Sequence, residues 1–548
     1  MSAPADGAGL RRLGIALGIA GLAIAGFFWF PGHTYLQSDT QIYVPLLERL
    51  WDQSLFEKDL LTSRPHLAYT VYDEAAFVLR RVFGLPFHYI LEAAQIVFRA
   101  LGLWGIFLAA TAMGLERRFA FAVTALFGLG AVIAGPAVLT FEYEPVPRGF
   151  ALSLLFCAIG LAMHSRLEAS ALVASIAFLY HAPTTLPFWM VLGLVSYRIG
   201  RSTARAWIPL AAAVICILVL ARLQPGISER QVFFGRIDPA LEHIQRIRAP
   251  YNWIGLWPGT VFWHYGVLAA ATALAVWRVR IGGIPRDFLL GLTAIGLLGI
   301  PCSFMLLDMW KWALMPQLQP ARAVLFVTAM AVLACSVAAM QAVRRGRWIE
   351  GGAWLLVPIA IPLHKSVLPL VTFNLVDPLT AREAVVLFGF APVLAAGLAA
   401  ASARRQLTPA LAAAVALVYA GLPAAGGVHN YPRLSTPDLV ALSAWARGTT
   451  PKNALFHFQQ AGHELYPGIF RAEALRAVYV DWKAGGQVNY FKSLGEEWWL
   501  RWQETMLLYP GPAELKQRGV DYVVAKTASG WRGGTLVYSN GSYAVYRL

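Results

Sequence analysis

At 548 residues, 58% hydrophobic and 14% charged, the chain holds more apolar side chain than a water-soluble fold of its size needs. Its formal charge of +15 does not point to nucleic acid, because the arginines stand in short clusters between apolar runs and not along one face of a soluble domain. Cys157, Cys216, Cys302 and Cys335 all fall inside apolar runs and read as small buried hydrophobes, so no disulfide framework follows.

The apolar runs are roughly twenty residues each, about enough to cross a ~30 Å hydrocarbon core as a helix. They predict an all-α polytopic membrane bundle of about thirteen spans, at 12–30, 90–113, 119–140, 150–164, 169–181, 185–197, 206–222, 261–277, 288–307, 321–342, 352–373, 384–402 and 409–426. The first run, Leu13–Phe30, follows Arg11 and Arg12 as a signal peptide would. It lacks a small-residue cleavage site and precedes many further spans, so it reads as a retained first helix. Short cytoplasmic loops concentrate Lys and Arg. With the N-terminus inside, the even-numbered turns carry Arg117/Arg118, Arg166, Arg198/Arg201/Arg205, Arg278/Arg280/Arg286, Arg344/Arg345/Arg347 and Arg404/Arg405. The segments 31–89, 141–149, 223–260 and 308–320, and everything after about 427, then face outward.

In the first outer loop, Thr40–Trp51 and Ala68–Phe83 place apolar residues three or four apart, with Val71, Ala75, Val78 and Val82 in one stripe. Two helices lying on the membrane surface fit this pattern. From residue 428 to 548 the composition turns soluble and predicts a small α/β domain outside the membrane. Thr436-Pro437 opens a helix to about Arg447, and Pro512–Arg518, closed by Gly519, reads as another. Ala454–Phe458, Ala477–Val480 and Tyr522–Ala525 read as short strands. Leu536–Tyr538 and Tyr543–Tyr546 flank Ser539-Asn540-Gly541-Ser542, a hairpin signal because Asn and Gly tolerate positive φ.

Polar groups worth attention gather at the outer edges of the spans. Gln37-Ser38-Asp39-Thr40 puts Asp39 soon after the first span, as a helix N-cap or as a carboxylate able to accept a proton from an attacking hydroxyl. Arg64 and His66 are able to hold a phosphate or merely to meet lipid head groups. Glu142-Tyr143-Glu144-Pro145-Val146-Pro147-Arg148 is more polar than a turn requires. Its Glu-x-Glu spacing suits ion pairing or a divalent cation, Mg or Mn, and Arg148 suits an anionic substrate. Arg322, closing Gln317-Leu318-Gln319-Pro320-Ala321-Arg322, either snorkels or clamps a lipid phosphate. Tyr180-His181-Ala182-Pro183-Thr184, Lys311 and His364-Lys365 add polar groups near the same face. Arg230, Arg236, Arg246 and Arg248 stand outside against the positive-inside trend, paired with Asp238 and Glu242 or facing something anionic.

The long first outer loop, the Asp after the first span, the acidic second outer loop, the Arg opening a late span and the external tail together resemble the GT-C fold glycosyltransferases. Similar sequences in the bacterial branch occur at Ser38-Asp39-Thr40, Pro147-Arg148-Gly149, Gln317–Arg322 and Val480-Asp481-Trp482-Lys483. The resemblance implies a glycosyltransferase of the bacterial inner membrane that moves a sugar from a polyprenyl-phosphate carrier to a glycan, lipid or protein acceptor by inverting displacement. It casts Asp39 as general base or acceptor-positioning acid, matches Glu142 and Glu144 to the second-loop acids and sets Arg322 and Arg148 toward the carrier phosphate; Asp39 and Glu144 are then the catalytic candidates and Glu142, Arg148 and Arg322 substrate-binding ones, joined by Arg64, His66 and Lys365 from the residues alone. The metal is left open, since second-loop acids hold one in some members only and Thr40 stands where many members have a second acid. Asp481, Trp482 and Lys483 receive no role.

Other classes predict other patterns. A transporter or flippase of lipid-linked sugars carries ionisable or helix-breaking positions in mid-span and a repeat between halves; no repeat is evident and the inner spans are nearly free of charge. A polysaccharide polymerase or ligase concentrates its key residues in one large late loop, whereas the informative acids here come early. A scaffold without chemistry accounts for the charged edges as structural ion pairs.

Overall fold

The computed structural model describes residues 6–63, 69–200, 204–223, 234–404, 406–426 and 434–548. Among them eight helices are long and apolar enough to cross a membrane: Phe87–Ala112, Leu167–Ile199, Ala204–Leu223, Gly259–Val279, Gly283–Met309, Met315–Arg344, Ala381–Ala403 and Leu407–Ala424. Leu13–Phe28 and Pro147–Met163 are shorter apolar helices, and Trp348–His364 packs against the central helix. The expected count of thirteen is thus not confirmed by length and composition. The run expected at 119–140 is helical only over Arg117–Gly128. Gly130 and Gly135, both at positive φ, turn the rest into a hairpin of β1 (Val132–Ile133) and β2 (Val138–Leu139).

The two runs expected at 169–181 and 185–197 fall in one helical stretch, Leu167–Ile199, broken at His181 (φ −159°, ψ 88°) just before Pro183 and Pro187. Its ends lie on one face. His164 meets Thr111 at 2.9 Å, Arg344 meets Glu116 at 3.7 Å, and Arg347 and Arg278 both meet Glu350, at 3.6 and 2.8 Å. Arg198 pairs with Asp287, in the first turns of the helix that follows Arg278 and Arg280. Tyr180, beside the break, packs on Phe150 near the opposite face. The stretch therefore doubles back at His181 as two limbs.

Val324–Arg344 is buried along nearly its whole length and forms the centre of the bundle. Ala204–Leu223 lies outermost and exposes Ile208, Ile215 and Leu218, an arrangement that suits lipid and not water. Helices Phe87–Ala112 and Pro147–Met163 cross at Gly105 and Gly160. A Cβ on Gly105 would stand 2.2 Å from the Phe156 carbonyl oxygen, and one on Gly160 2.2 Å from that of Gly105, so only glycine permits the crossing.

On the face opposite the arginines lie helices Thr40–Trp51 and Tyr72–Phe83. The second buries Tyr72, whose hydroxyl donates to the Pro145 carbonyl at 2.6 Å, and turns Val78 and Val82 outward at 60% and 69% exposure. Beyond them stands a five-stranded sheet of β3 (Leu455–Phe458), β4 (Ala477–Val478), β5 (Tyr522–Lys526), β6 (Thr535–Ser539) and β7 (Tyr543–Arg547), in the order β4-β3-β5-β7-β6. β3 runs parallel to β4 and β5, and β7 antiparallel to β5 and β6. Helix Pro437–Thr449 starts where Thr436 Oγ1 accepts from the Leu439 amide at 3.2 Å. The β6–β7 hairpin forms where expected but for another reason. Neither Asn540 nor Gly541 takes positive φ; the Asn540 side-chain oxygen accepts from the amides of Ser542 and Tyr543 at 3.1 and 2.8 Å.

Buried charges join this sheet region to the first loop. Arg471 donates to Asp59 Oδ2 at 2.7 Å and to Asp481, and all three side chains are 0–1% exposed. Asp59 Oδ2 also accepts from the Val478 amide at 2.9 Å, and the Gln37 side-chain oxygen accepts from the Leu434 amide.

Candidate active site

Asp39 stands at the N-cap position of helix Thr40–Trp51, yet its side chain caps nothing. The cap comes from the second outer loop. The Glu144 carboxylate accepts from the amides of Gln37 and Ser38 through Oε1, at 2.8 and 2.7 Å, and of Thr40 through Oε2, at 2.9 Å. Thr40 Oγ1 in turn accepts from the Leu36 amide at 2.8 Å. With the helix start satisfied by Glu144, the Asp39 carboxylate is left to face other groups.

Those groups are cations. Lys483 donates to Asp39 Oδ1 at 2.9 Å and to Ser38 Oγ at 3.0 Å, and Arg148 reaches Asp39 Oδ2 at 3.3 Å. Burial by itself would raise the Asp39 carboxyl, but Lys483, Arg148 and then Arg322 outweigh it and hold the group far below the ordinary carboxylate range. Glu144 moves the other way, pushed up by burial although its backbone partners, Thr40 first, favour the charged form.

Arg148 lies in the first turn of helix Pro147–Met163, where Pro147 fits N1. Its Nε donates to Glu142 Oε1 at 2.6 Å, which aims the rest of the guanidinium at Asp39. Glu142 is itself held in place, its carbonyl accepting from Gln95 at 2.9 Å and from Arg99 at 3.4 Å. Gly149 is required here, because a Cβ would stand 2.9 Å from Glu142 Cβ. Arg322 enters from a 3-10 turn, Pro320–Ala323, ahead of the central helix. Its guanidinium lies 5.9 Å from the Tyr251 ring centre, and its buried Nε has no hydrogen-bond partner. Arg248, from the long loop, donates to the Trp482 carbonyl at 2.9 Å and lies 4.8 Å over the Trp482 ring.

Arg148 and Arg322 line one cavity of about 350 Å³. The rest of its wall is almost entirely apolar, with Leu152, Leu186, Met190, Leu298, Met315 and Phe326 among the lining residues. The site is therefore an apolar groove ending at two guanidiniums, with a clamped carboxylate beside them. Cations at that end outnumber the acids Asp39 and Glu142, and an incoming anion would restore balance.

The remaining candidates are dispersed. Arg64 and His66 lie outside the described residues. Lys365 is exposed next to His364, whose ring meets Glu383 and Asp377 and not the Asp39 cluster. His181 lines the groove and meets Thr184 Oγ1 at 2.8 Å. Glu142 and Glu144 take different partners, the first Arg148 and the second three amides. Among the described residues no three His, Cys, Asp or Glu side chains come together to hold a metal. Lys483, assigned no role from sequence, joins the site through contacts distant in sequence, as do Arg248 and Tyr490. The only local signal for Lys483 is the Val480–Lys483 motif itself.

No protein-family model and no curated protein matches the chain. Solved structures do. ArnT from Cupriavidus metallidurans in the apo state is similar over 99% of this chain and 98% of that one, at 14% identity and a TM-score of 0.47. Arabinofuranosyltransferase AftD from Mycobacteria is similar over 98% of this chain but only 41% of its own, at 15% identity and 0.45. The Archaeoglobus fulgidus oligosaccharyltransferase, tethered with an acceptor peptide, is similar over 94% and 69%, at 11% identity and 0.39. All three are glycosyltransferases of the GT-C fold, the fold that the sequence resembles.

Proposed function

We propose that the chain is a membrane glycosyltransferase that moves a sugar from a polyprenyl-phosphate carrier to an acceptor by inverting displacement. One observation carries the reading: Asp39 lies 3.3 Å from Arg148 at the end of an apolar groove that also holds Arg322. An isoprenoid chain needs an apolar trough, and its phosphate needs cations at head-group level.

In the displacement, an acceptor oxygen bonds to the anomeric carbon while the bond from that carbon to the phosphate oxygen breaks, its electron pair leaving with the phosphate. Arg148 and Arg322 offset the charge that gathers there. The acceptor proton passes to Asp39, whose Oδ1 Lys483 yields as the acceptor enters. A carboxylate held so low is a weak base. It suits a sugar with oxocarbenium character, where the acceptor proton becomes acidic only as the new bond forms. Glu144 and Glu142 act as positioning residues, the first through the backbone of Gln37–Thr40 and the second through Arg148.

We assign the arginine-rich face and the N-terminus to the cytoplasm, and the outer loops with the sheet region to the outside of a bacterial inner membrane, because Lys and Arg gather in short cytoplasmic turns. On that reading residues 1–427 are the membrane part and 428–548 an extracytoplasmic α/β domain.

The test is turnover of a polyprenyl-phosphate sugar by the purified protein and its Asp39→Asn variant. Transfer or donor hydrolysis is expected to fall at least ~100-fold, the scale of a lost general base, with cooperative thermal unfolding retained. Release of polyprenyl phosphate separates transfer from flipping of an intact donor. Unchanged turnover rejects Asp39 as base.

A further inference from the structure

The helix break at His181 redistributes hydrogen bonds in a way that fixes the His181 ring. Pro183 has no amide to offer the Leu179 carbonyl one turn earlier, and the Val71 amide takes that place at 2.9 Å. In an unbroken helix the Thr184 amide would donate to the Tyr180 carbonyl. Here Thr70 Oγ1 donates to that carbonyl at 2.8 Å, and the Thr184 amide turns to His181 Nδ1 at 3.3 Å. His181 therefore stands as the N-cap of the limb 182–199, with extended backbone and a ring nitrogen in the role usually taken by a Ser or Asp oxygen.

A backbone amide always donates, so Nδ1 accepts and holds no hydrogen. The neutral ring then carries its hydrogen on Nε2, and an imidazolium, with no lone pair left, would lose the cap. His181 lines the same groove as Arg148 and Arg322, in a wall otherwise almost entirely apolar. The three side chains come from three helix starts: Arg148 from the first turn of Pro147–Met163, Arg322 from the turn Pro320–Ala323 ahead of Val324–Arg344, and His181 from the cap of 182–199. Packing holds these starts together. Tyr180, next to His181, meets Phe150 on the helix of Arg148 with ring centres 5.7 Å apart, and the Leu167–Ile199 stretch contacts the turn that carries Arg322. Helix N-termini present positive potential, so the place where they gather favours an anion.

We infer that His181 is a third contact to the carrier phosphate, donating the Nε2 hydrogen to a phosphate oxygen while Nδ1 keeps the cap. The inference rests on the glycosyl-transfer reading and adds to it a neutral, directional donor. The guanidiniums supply charge, and an N–H on a ring fixed at its other nitrogen aligns one oxygen. No bond is made or broken at His181 itself.

The test uses the full-length protein in nanodiscs, with farnesyl phosphate and farnesol as probes that share a tail and differ in head group. An Asn side chain reaches as far as Nδ1 and a Gln side chain as far as Nε2, so two variants separate the cap from the donor. His181→Asn keeps an oxygen for the Thr184 amide; it is expected to unfold near the wild-type temperature, to bind farnesyl phosphate about tenfold or more weakly, and to bind farnesol unchanged. His181→Gln is expected to unfold at a lower temperature and to retain farnesyl phosphate. A cap without a ligand role would leave the preference for phosphate over farnesol intact in both. If the folded Asn variant binds farnesyl phosphate as wild type does, or loses both probes alike, the assignment is overturned and glycosyl transfer stands. Should the Asn variant not fold, loss of the phosphate preference in the Gln variant overturns it and retention supports it. Wild type that holds farnesyl phosphate no better than farnesol sinks the transfer reading itself.

Discussion

Asp39 occupies a capping position and does no capping, and the chemistry of the site follows from that exchange. Its carboxyl is held below its unfolded value of about 3.9, so its contribution to stability is present above that pH and is lost as pH falls below it. The Tm gap between wild type and Asp39→Asn is therefore expected to hold from pH 8 to pH 5 and to narrow below about pH 4. A gap that already closes between pH 7 and pH 5 contradicts the clamp by Lys483 and Arg148. Arg322→Ala removes a cation whose buried Nε lacks a hydrogen-bond partner, and the KM for a polyprenyl-phosphate sugar is expected to rise at least tenfold. Asp39, Arg148 and Arg322 are legible in the sequence because a charge beside an apolar run stands out. Lys483 is not, since 444 positions separate it from its partner and nothing local marks an ammonium as bound for a carboxylate.

Among the elements, helix Thr40–Trp51 depends on a cap from another loop. Glu144→Ala strips three amides of their acceptor and is expected to cost about 1–2 kcal/mol, the scale of a lost N-cap, and to lower kcat through misplacement of Asp39. Unfolding and turnover measured on the same preparation check both effects. On the neighbouring helix Tyr72–Phe83, burial and then the adjacent Glu74 push the Asp73 carboxyl up to about 8. The folded state therefore holds a proton that the unfolded chain releases, and stability is expected to fall as pH rises from about 4 to 8. Asp73→Asn should flatten this slope in thermal unfolding from about pH 4 to 8. Long apolar helices and the strands of the sheet region are readable because hydropathy and turn residues act locally. The 119–140 run misleads because hydropathy does not weigh what Gly130 and Gly135 do to a helix. The Asp39 cap misleads because a side chain from another loop takes the amides first.

Across the whole molecule, the Asp59–Arg471–Asp481 triad fastens the sheet region to the first loop and so brings Lys483 to Asp39. Breaking a buried pair of this kind costs about 3–5 kcal/mol. Asp59→Ala is expected to speed proteolysis of the 434–548 region and to abolish turnover, although Asp59 itself lies away from the groove. Helix Tyr72–Phe83, packed on helices Thr40–Trp51 and Phe87–Ala112, presents Val78 and Val82 outward. With those valines resting on the lipid surface, as the proposed reading has it, the reaction centre would take its height from that surface and not from the middle of the bundle. Bilayer thickness thus becomes a control on rate: short-chain and long-chain liposomes should each slow turnover relative to an intermediate length, and Val78→Ser/Val82→Ser should blunt the difference.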